Sequence, residues 1–563
     1  MDTKLLSIAA HLAGEPEISP FSGMAVDTFG GRIHVEWDPQ AAVTPLGQLP
    51  FFIEFLKTAE LFKPWVEDCP LAYKSPNAPA KTDVLGTMLL STLAGHNRYA
   101  HITALRGDGV NPELLGMQKV CSEDSVRRAF EKIDPEASRQ WLQHHLRRAW
   151  EPLLYEPWIL DVDTTVKTLY GRQQEGACCG YNPRKPGRPS HVYHTYFVAN
   201  LRLVLDVEMQ PGNKTASKYT RPGLFEFLDS LPVGARPFLL RGDIGFGNEG
   251  VMKEAEERDQ DYLFKLKQTS RVKKLIKRLF RGEEWTDAGQ GWQGVESELQ
   301  LIGWSRKRRV VVLRRQRRGA VTLDDGDQDP QLRLSFGELD ASDKKYEYAV
   351  LVTSLKDEVL AVAQHYRDRA DSENNFDELK NQWGWGGFTT KDMARCQVMA
   401  RIVALVYNWW SLFTRLAIPE KHAEAITSRP LLLHAVGKQT QHAGQTRLTI
   451  TSSHAKSRTV SRILSGLTTF LRHIREAAEQ LSWIDRWRMI LSKIFVHFLG
   501  GRHLKPPSLQ VNTSQLPDLG SRQTLIFQGP GHSVSGFQGE VPFKQSRKDS
   551  RMVRFKANRK RNG

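Results

Sequence analysis

Residues 158–163 read WILDVD, an apolar run that closes on two acids, with TTVKTLY behind it at 164–170. The run predicts a short strand whose end carries Asp163, followed by Thr164 and Thr165. Asp161 lies two residues earlier, on the same strand face, and is a rival for the same place. Beyond a Gly/Pro/Arg loop, GYNPRKPGRPS (180–190), the stretch HTYFVANLRLVLDVEM (194–209) alternates like one or two further strands. A helix is expected around 221–230, then a strand in RPFLLRGD (236–243) that ends at Asp243. A short helix carries VMKEAEER (251–258) and a strand carries DYLFKLK (261–267). Strand, strand, strand, helix, strand, helix, with acids at the strand ends, predicts an α/β core.

A basic stretch interrupts this pattern. Residues 265–318 hold sixteen Lys or Arg against five acids, +11 of the chain's net +16. Val272, Leu275, Ile276, Leu279 and Phe280 give an amphipathic helix. Strand patterns with Trp285, Trp292 and Trp304 follow, then RRVVVLRR (308–315), and YEYAVLVTS (346–354) leads back to the core. Upstream, residues 83–150 are helical in pattern, and GGRIHVEW (30–37) alternates like a strand. Ser122 is the expected N-cap of the helix in SEDSVRRAFEKI (122–133), with Arg127 and Arg128 on its exposed side. The division expected is 1–150, with a helix-turn-helix-like DNA-binding unit or a plain helical bundle at about 83–150. The core is 151–392, interrupted by a basic β-rich insertion at about 265–345. A helical region follows at 393–500, and 501–563 reads as a disordered basic tail.

At 563 residues the chain is too long for one ordinary domain. Its pI of about 9.5 favours a polyanionic partner. Five cysteines (Cys69, Cys121, Cys178, Cys179, Cys396) include no C-x-x-C pair, which fits a reducing compartment and neither a zinc site nor a disulfide framework. The N-terminus lacks a signal segment, and IVALVYNWWSLF (402–413) is too short to span a bilayer. A cytoplasmic protein is expected.

The chemistry concentrates in YRDRADSENNFDELK (366–380). On one continuous helix Tyr366, Arg369, Glu373 and Lys380 would stand at about 0°, 300°, 340° and 320°, a stripe roughly 60° wide. A plain solvated helix with Arg369 and Glu373 paired at i,i+4 is the bland reading. Two-metal phosphoryl transfer needs carboxylates that converge from separate elements, and Asp163, Asp243 and Glu373 are such a set.

The spacing Tyr-x2-Arg-x3-Glu-x6-Lys resembles the signature of bacterial insertion-sequence transposases, the cut-and-paste DDE enzymes, over about residues 80–500. The resemblance implies a ribonuclease-H-like core with a mostly β insertion and flanking helical regions. It makes Asp163, Asp243 and Glu373 the catalytic and metal-binding acids, holding two Mg²⁺ ions (or Mn²⁺). Tyr366, Arg369 and Lys380 would hold phosphates of the transposon end. ENNFDELKNQWGWGGFTT (373–390) is similar to one subgroup. The activity implied is that of a transposase that binds terminal inverted repeats, cleaves the ends and joins 3′ hydroxyls to target double-stranded DNA. A homodimer on paired ends and a hairpin intermediate are implied in the same way. The alternatives are a catalytically silent DNA-binding relative and a recombinase that uses Tyr366 as nucleophile.

Secondary signals stay open. Arg188 in KPGRPS (185–190) suits either a narrow minor groove or a rigid loop. Arg314 and Arg315 are candidate phosphate contacts within the basic insertion. The letters Gly245-x-Gly247-x-x-Gly250 match a dinucleotide fingerprint, but Asp243 stands where it would repel a pyrophosphate, and the next strand ends in Lys267. Trp383 and Trp385 are expected to pack the helix end.

Overall fold

The computed structural model describes residues 24–505 apart from 39, 74, 172, 184, 215, 317–345, 421, 453 and 454. Most of the tail expected at 501–563, and the first residues of the chain, lie outside these.

The chain opens with an exposed hairpin, β1 (Met24–Thr28) and β2 (Gly31–Val35), and a short β3 (Val43–Thr44). Helices follow: α1 (Leu49–Thr58), α2 (Phe62–Glu67), α3 (Lys81–Leu93), α4 (Asn111–Leu114), α5 (Glu123–Glu131) and α6 (Pro135–Trp150). Ser122 caps α5 as expected, its hydroxyl accepting from Ser125 N at 3.2 Å.

The centre is one mixed sheet. In chain order its parts are β4 (Ile159–Thr168), β5 (Cys178–Cys179), β6 (Pro189–Val198), β7 (Leu203–Pro211), α7 (Ala216–Ser230), β8 (Leu239–Gly242), α8 (Glu249–Glu257) and β9 (Tyr262–Lys265). The basic stretch supplies α9 (Ser270–Gly282), β10 (Thr286–Gly289), β11 (Trp292–Leu299) and β12 (Arg308–Gln316). β13 (Tyr346–Thr353), α10 (Val359–Arg367) and α11 (Ala370–Gln382) follow. The strands run in the order β10-β11-β12-β13-β9-β8-β4-β6-β5, with β7 on β6. β4, β6 and β7 form an antiparallel meander, and β8 and β9 lie parallel to β4. The helix α7 carries the chain from β7 across to β8, as a parallel crossover requires.

The insertion extends this sheet instead of standing apart. β13 pairs antiparallel with β9, and β12 and β11 are added outward. Val310 and Val312 face the main core, while Val311 and Leu313 face a smaller cluster with Val362 and Ala363 of α10. The strand β12 is thus apolar on both faces, which is why VVVL shows no alternation.

Helices α12 (Met393–Ala417), α13 (Ala425–Leu432), α14 (Ser457–Glu476) and α15 (Trp483–Ile494) follow among the described residues. The expectation of a helical region at 393–500 is corrected here. A hairpin, β14 (Gly437–His442) and β15 (Gln445–Ile450), interrupts it and pairs through β14 with β3. Its turn is Ala443-Gly444, both at positive φ (49° and 74°), the pair that a two-residue hairpin turn needs. One continuous cluster of buried side chains runs from Leu46 to Leu504, so the helices before and after the sheet share its core.

Candidate active site

The neighbouring strands β4 and β8 set the site. Their parallel register pairs Asp161 with Arg241 and Val162 with Gly242. One residue further on, the same register puts Asp163 beside Asp243. Both rivals on β4 are therefore accounted for. Asp161 is fully buried and takes a two-pronged ion pair from Arg241, Nε to Oδ1 at 2.6 Å and Nη2 to Oδ2 at 2.8 Å. The third prong, Arg241 Nη1, donates to the His365 carbonyl at the end of α10. Asp161 locks the strands together, and Asp163, also buried, is left to face Arg369. Arg241 was missed in the sequence; its signal was a lone cation inside the apolar run FLLRG.

Asp163 Oδ1 accepts from its neighbour Thr164 N at 2.7 Å, and Asp243 Oδ1 accepts from Gly245 N at 2.8 Å, a local turn that aims the carboxylate. Arg369 Nη2 donates to Asp163 Oδ2. Burial pushes the Asp163 carboxyl up to about 7; the Arg369 guanidinium opposes this and Asp243 adds to it. Burial wins over the ion pair because the site holds two acids close together for one cation. Burial also pushes the Tyr366 phenol up to about 12, with Asp163 and Asp243 contributing and Arg369 opposing.

The signature is not on one helix. α10 ends at Arg367, Asp368 and Arg369 form a turn, and α11 starts at Ala370. The single 60° stripe is thus corrected: Tyr366 belongs to α10, Glu373 and Lys380 to α11, and Arg369 is the hinge residue between them. The Arg369 guanidinium reaches across to Asp163, while the i,i+4 pair with Glu373 falls on a side chain outside the described residues. Glu373 lies in the first turn of α11, which packs against β4; its side chain lies outside the described residues. Lys380 is in the last turn of α11, half-buried.

What holds α11 in place is visible. Glu378 is buried among His422 Nε2 (2.8 Å), Ala425 N (3.1 Å) and Trp383 Nε1 (3.2 Å). Trp383 and Trp385 are fully buried at the helix end, as expected, and Trp385 Nε1 donates to Ala400 O at 2.8 Å. In WGWGGF a Cβ on Gly387 would stand 1.8 Å from the Asn97 carbonyl oxygen, so this position needs glycine.

The remaining candidates are scattered. Arg188 is exposed in its loop and lies over the Tyr170 ring, 5.8 Å from its centroid. Arg127 is tied to Asp124 at 2.6 Å, whereas Arg128 is exposed. Arg314 sits against Trp285, Tyr346 and Phe280 (4.0, 4.9 and 5.4 Å), and Arg315 pairs with Glu347 at 2.5 Å. Arg314 and Arg315 are thus sheet-packing cations as well as surface ones. A Cβ on Gly247 would meet Lys265 O at 3.0 Å, so this glycine serves close packing on β9. Asp68, His144 and His145 also cluster closely enough to ligate a metal, at the C-cap of α2 and on α6, away from the sheet acids.

The expectation that Asp163 ends its strand is corrected: β4 runs on to Thr168 and Asp163 is mid-strand, while Asp243 directly follows β8. Two carboxylates side by side on neighbouring strands are donors of the kind that hard cations take. The model of the family "Transposase DDE domain group 1" matches residues 78–471, and the chain belongs to that family. The family implies a ribonuclease-H-like core, and the order β7-β6-β4-β8-β9 fits one. No curated protein matches the chain. Among solved structures, a piggyBac transposase synaptic complex with hairpin DNA, studied by cryo-EM, is similar at 12% identity. It covers 80% of this chain and 85% of that one, with a TM-score of 0.34. Among the described residues no helix is long and apolar enough to cross a membrane.

The donor set fits a divalent metal. Asp163 and Asp243 are hard oxygen donors side by side, and Asp243 Oδ2 has no partner among the described residues. An ionised carboxylate offers about four lone-pair sites, so Asp163 can keep Arg369 and still accept a cation.

Proposed function

We propose that the chain is a DNA transposase of the insertion-sequence branch, cutting transposon ends and joining their 3′ hydroxyls to target DNA. Asp163, Asp243 and Glu373 are assigned as metal ligands, and Mg²⁺ would supply Lewis-acid stabilisation and an activated nucleophile there. The observation that carries this reading is the pair Asp163 and Asp243 on adjacent parallel strands, beneath Arg369 and Tyr366. Arg369 holds the Asp163 carboxylate until DNA arrives, then presents its fork to a phosphate. Tyr366 positions a phosphate; a phenol pushed up to about 12 is a poor nucleophile. Lys380, about 10 Å along the helix from Glu373, reaches a more distant phosphate as a point charge. Arg128 and Arg188 are assigned to DNA backbone, with Arg127, Arg314 and Arg315 at the same surfaces. The helical unit at about 83–150 is assigned to end recognition, and a homodimer to pairing the two ends.

The test starts from the inverted repeats that should flank the coding frame. Duplexes ending in them should be cut by the wild-type chain with Mg²⁺. Asp163→Ala and Asp243→Ala should bind the same duplexes and leave them intact. Cleavage by Asp243→Ala would refute the assignment.

A further inference from the structure

From Ala425 to Arg475 the chain contains no Asp or Glu, against eight cations: Arg429, Lys438, Arg447, Lys456, Arg458, Arg462, Arg472 and Arg475. The chain as a whole has 63 acids in 563 residues, so a stretch of this length would ordinarily carry five or six. The structure folds it into α13, the β14–β15 hairpin and α14; apart from Arg429, which is buried on α13, its cations lie on the outside.

Helix α14 buries Val460, Leu464, Leu467, Leu471 and Ile474 on one face. Its opposite face carries Arg458, Arg462, Ser465, Thr469 and Arg472, all exposed. At 100° per residue these five fall within about 80° of one another, one straight stripe of guanidinium and hydroxyl groups. Ion pairing is the rule for arginines near this helix. Arg475, just off the stripe, is held by Glu54 at 2.6 Å, and Arg488 of α15 by Asp485 at 2.9 Å. Arg458, Arg462 and Arg472 have no such partner among the described residues. The hairpin continues the pattern: Lys438 and Arg447 are exposed on one face with Thr440 and Thr449, which the register pairs with them across the strands. A cleft of about 450 Å³ runs beside the stripe, its polar wall made by Ser461, Ser465, Thr469, Arg472 and His434.

We propose that the outer face of α14, with the β14–β15 hairpin, is a second duplex-DNA surface, which grips the backbone on elements other than those that carry Asp163 and Asp243. Unpaired guanidinium groups interleaved with hydroxyls match the acceptor oxygens of phosphates, which carry no base information. From Arg462 to Arg472 is about 15 Å of helix, enough to reach phosphates on both sides of a major groove about 12 Å wide. The inference rests on the reading that this chain acts on DNA, and supplies a grip that the signature residues do not.

The experiment uses the full chain and a 30-base-pair duplex of arbitrary sequence, with affinity measured by fluorescence anisotropy between 50 and 200 mM NaCl. The test variant is Arg458→Gln/Arg462→Gln/Arg472→Gln. The control, Lys63→Gln/Arg139→Gln/Lys253→Gln, removes three charges at surface ion pairs elsewhere. Each phosphate no longer neutralised should make the slope of log K against log salt shallower by about 0.9, so the test variant should lose two to three units and the control less than one. An unchanged slope in the test variant, or an equal loss in the control, overturns the proposal. So does a variant that loses binding only to phosphatidylserine vesicles. Wild-type binding without any Mg²⁺-dependent cleavage of end DNA would sink the transposase reading and leave this surface standing; no duplex binding at all would sink both.

Discussion

Arg369 is where residue-scale reasoning changes most. As half of a surface i,i+4 pair it would contribute about 0.3–0.5 kcal/mol and tolerate Lys. Buried against Asp163, it is the cation that keeps two neighbouring acids compatible before metal binds. Lys keeps the charge and loses the planar fork. Arg369→Lys should therefore lose at least tenfold in cleavage rate, about 1.4 kcal/mol in the barrier, while its melting temperature stays near wild type. Wild-type cleavage would return Arg369 to a structural role. A second residue, Glu208 on β7, gives a pH signature away from the site. Burial raises its carboxyl to about 7, with Asp206 adding to this and Arg401 opposing it. Folded Glu208 binds its proton more tightly than the unfolded chain does. Its contribution to stability is thus full below pH 4.5 and is lost as pH rises toward 7. Urea midpoints between pH 4.5 and 8 should fall more steeply for wild type than for Glu208→Gln; parallel curves would place the carboxyl in water.

At the scale of elements, Asp161 and Arg241 join three pieces: β4, β8 and, through the His365 carbonyl, the end of α10. Arg241→Met would strand a buried carboxylate, at a cost of about 3–5 kcal/mol. Adding Asp161→Leu removes that orphan and should recover most of the loss in urea unfolding. Cleavage should not recover with it, because α10 is no longer tethered beneath Tyr366. The same pair shows what a single sequence does and does not disclose. Asp243 was readable as an acid at a strand end and Asp163 as an acid of its strand, since strand patterns are local; that β4 continues past Asp163 to Thr168 was not. Which of Asp161 and Asp163 faces the site was not, because it depends on a strand about 80 residues away. The break between α10 and α11 was hidden for a related reason. Asp368 and Arg369 both keep right-handed helical angles, so no Gly or Pro announces a turn that tertiary contact imposes. The β14–β15 hairpin was missed because its strands are mostly exposed and lack the apolar alternation that marks a half-buried strand, although Ala443-Gly444 was a visible turn.

At the scale of the molecule, the helical regions and the sheet are held by hydrogen bonds as well as by apolar contact. β7 ends the meander, and an edge strand leaves a row of unpaired backbone groups. α12 covers that edge. Asn408 accepts from Val204 N at 2.9 Å and donates to Val204 O at 2.7 Å, standing in for a neighbouring strand. Gln397 does the same further along, donating to Val207 O at 2.8 Å and accepting from Met209 N. Arg401 adds a buried ion pair to Asp206 at 2.9 Å. This explains polar residues on a helix that is otherwise buried nearly all round. Asn408→Leu keeps the volume roughly constant and strands one N–H and one C=O away from water. The cost should be about 2–6 kcal/mol, at about 1–3 kcal/mol for each orphaned group, and urea unfolding would read it. A loss below about 1 kcal/mol would mean that water reaches the edge. The same contacts argue against 151–392 as a unit that folds alone. A chain ended at Lys391 would expose the β7 edge and the apolar faces that α12 covers. It should show no cooperative unfolding transition and should aggregate, whereas an independent catalytic domain would melt cooperatively. The edge groups make the outcome specific: a cooperative transition in the truncated chain would require β7 to find other partners for Val204 N and O, Val207 O and Met209 N, which α12 pairs here.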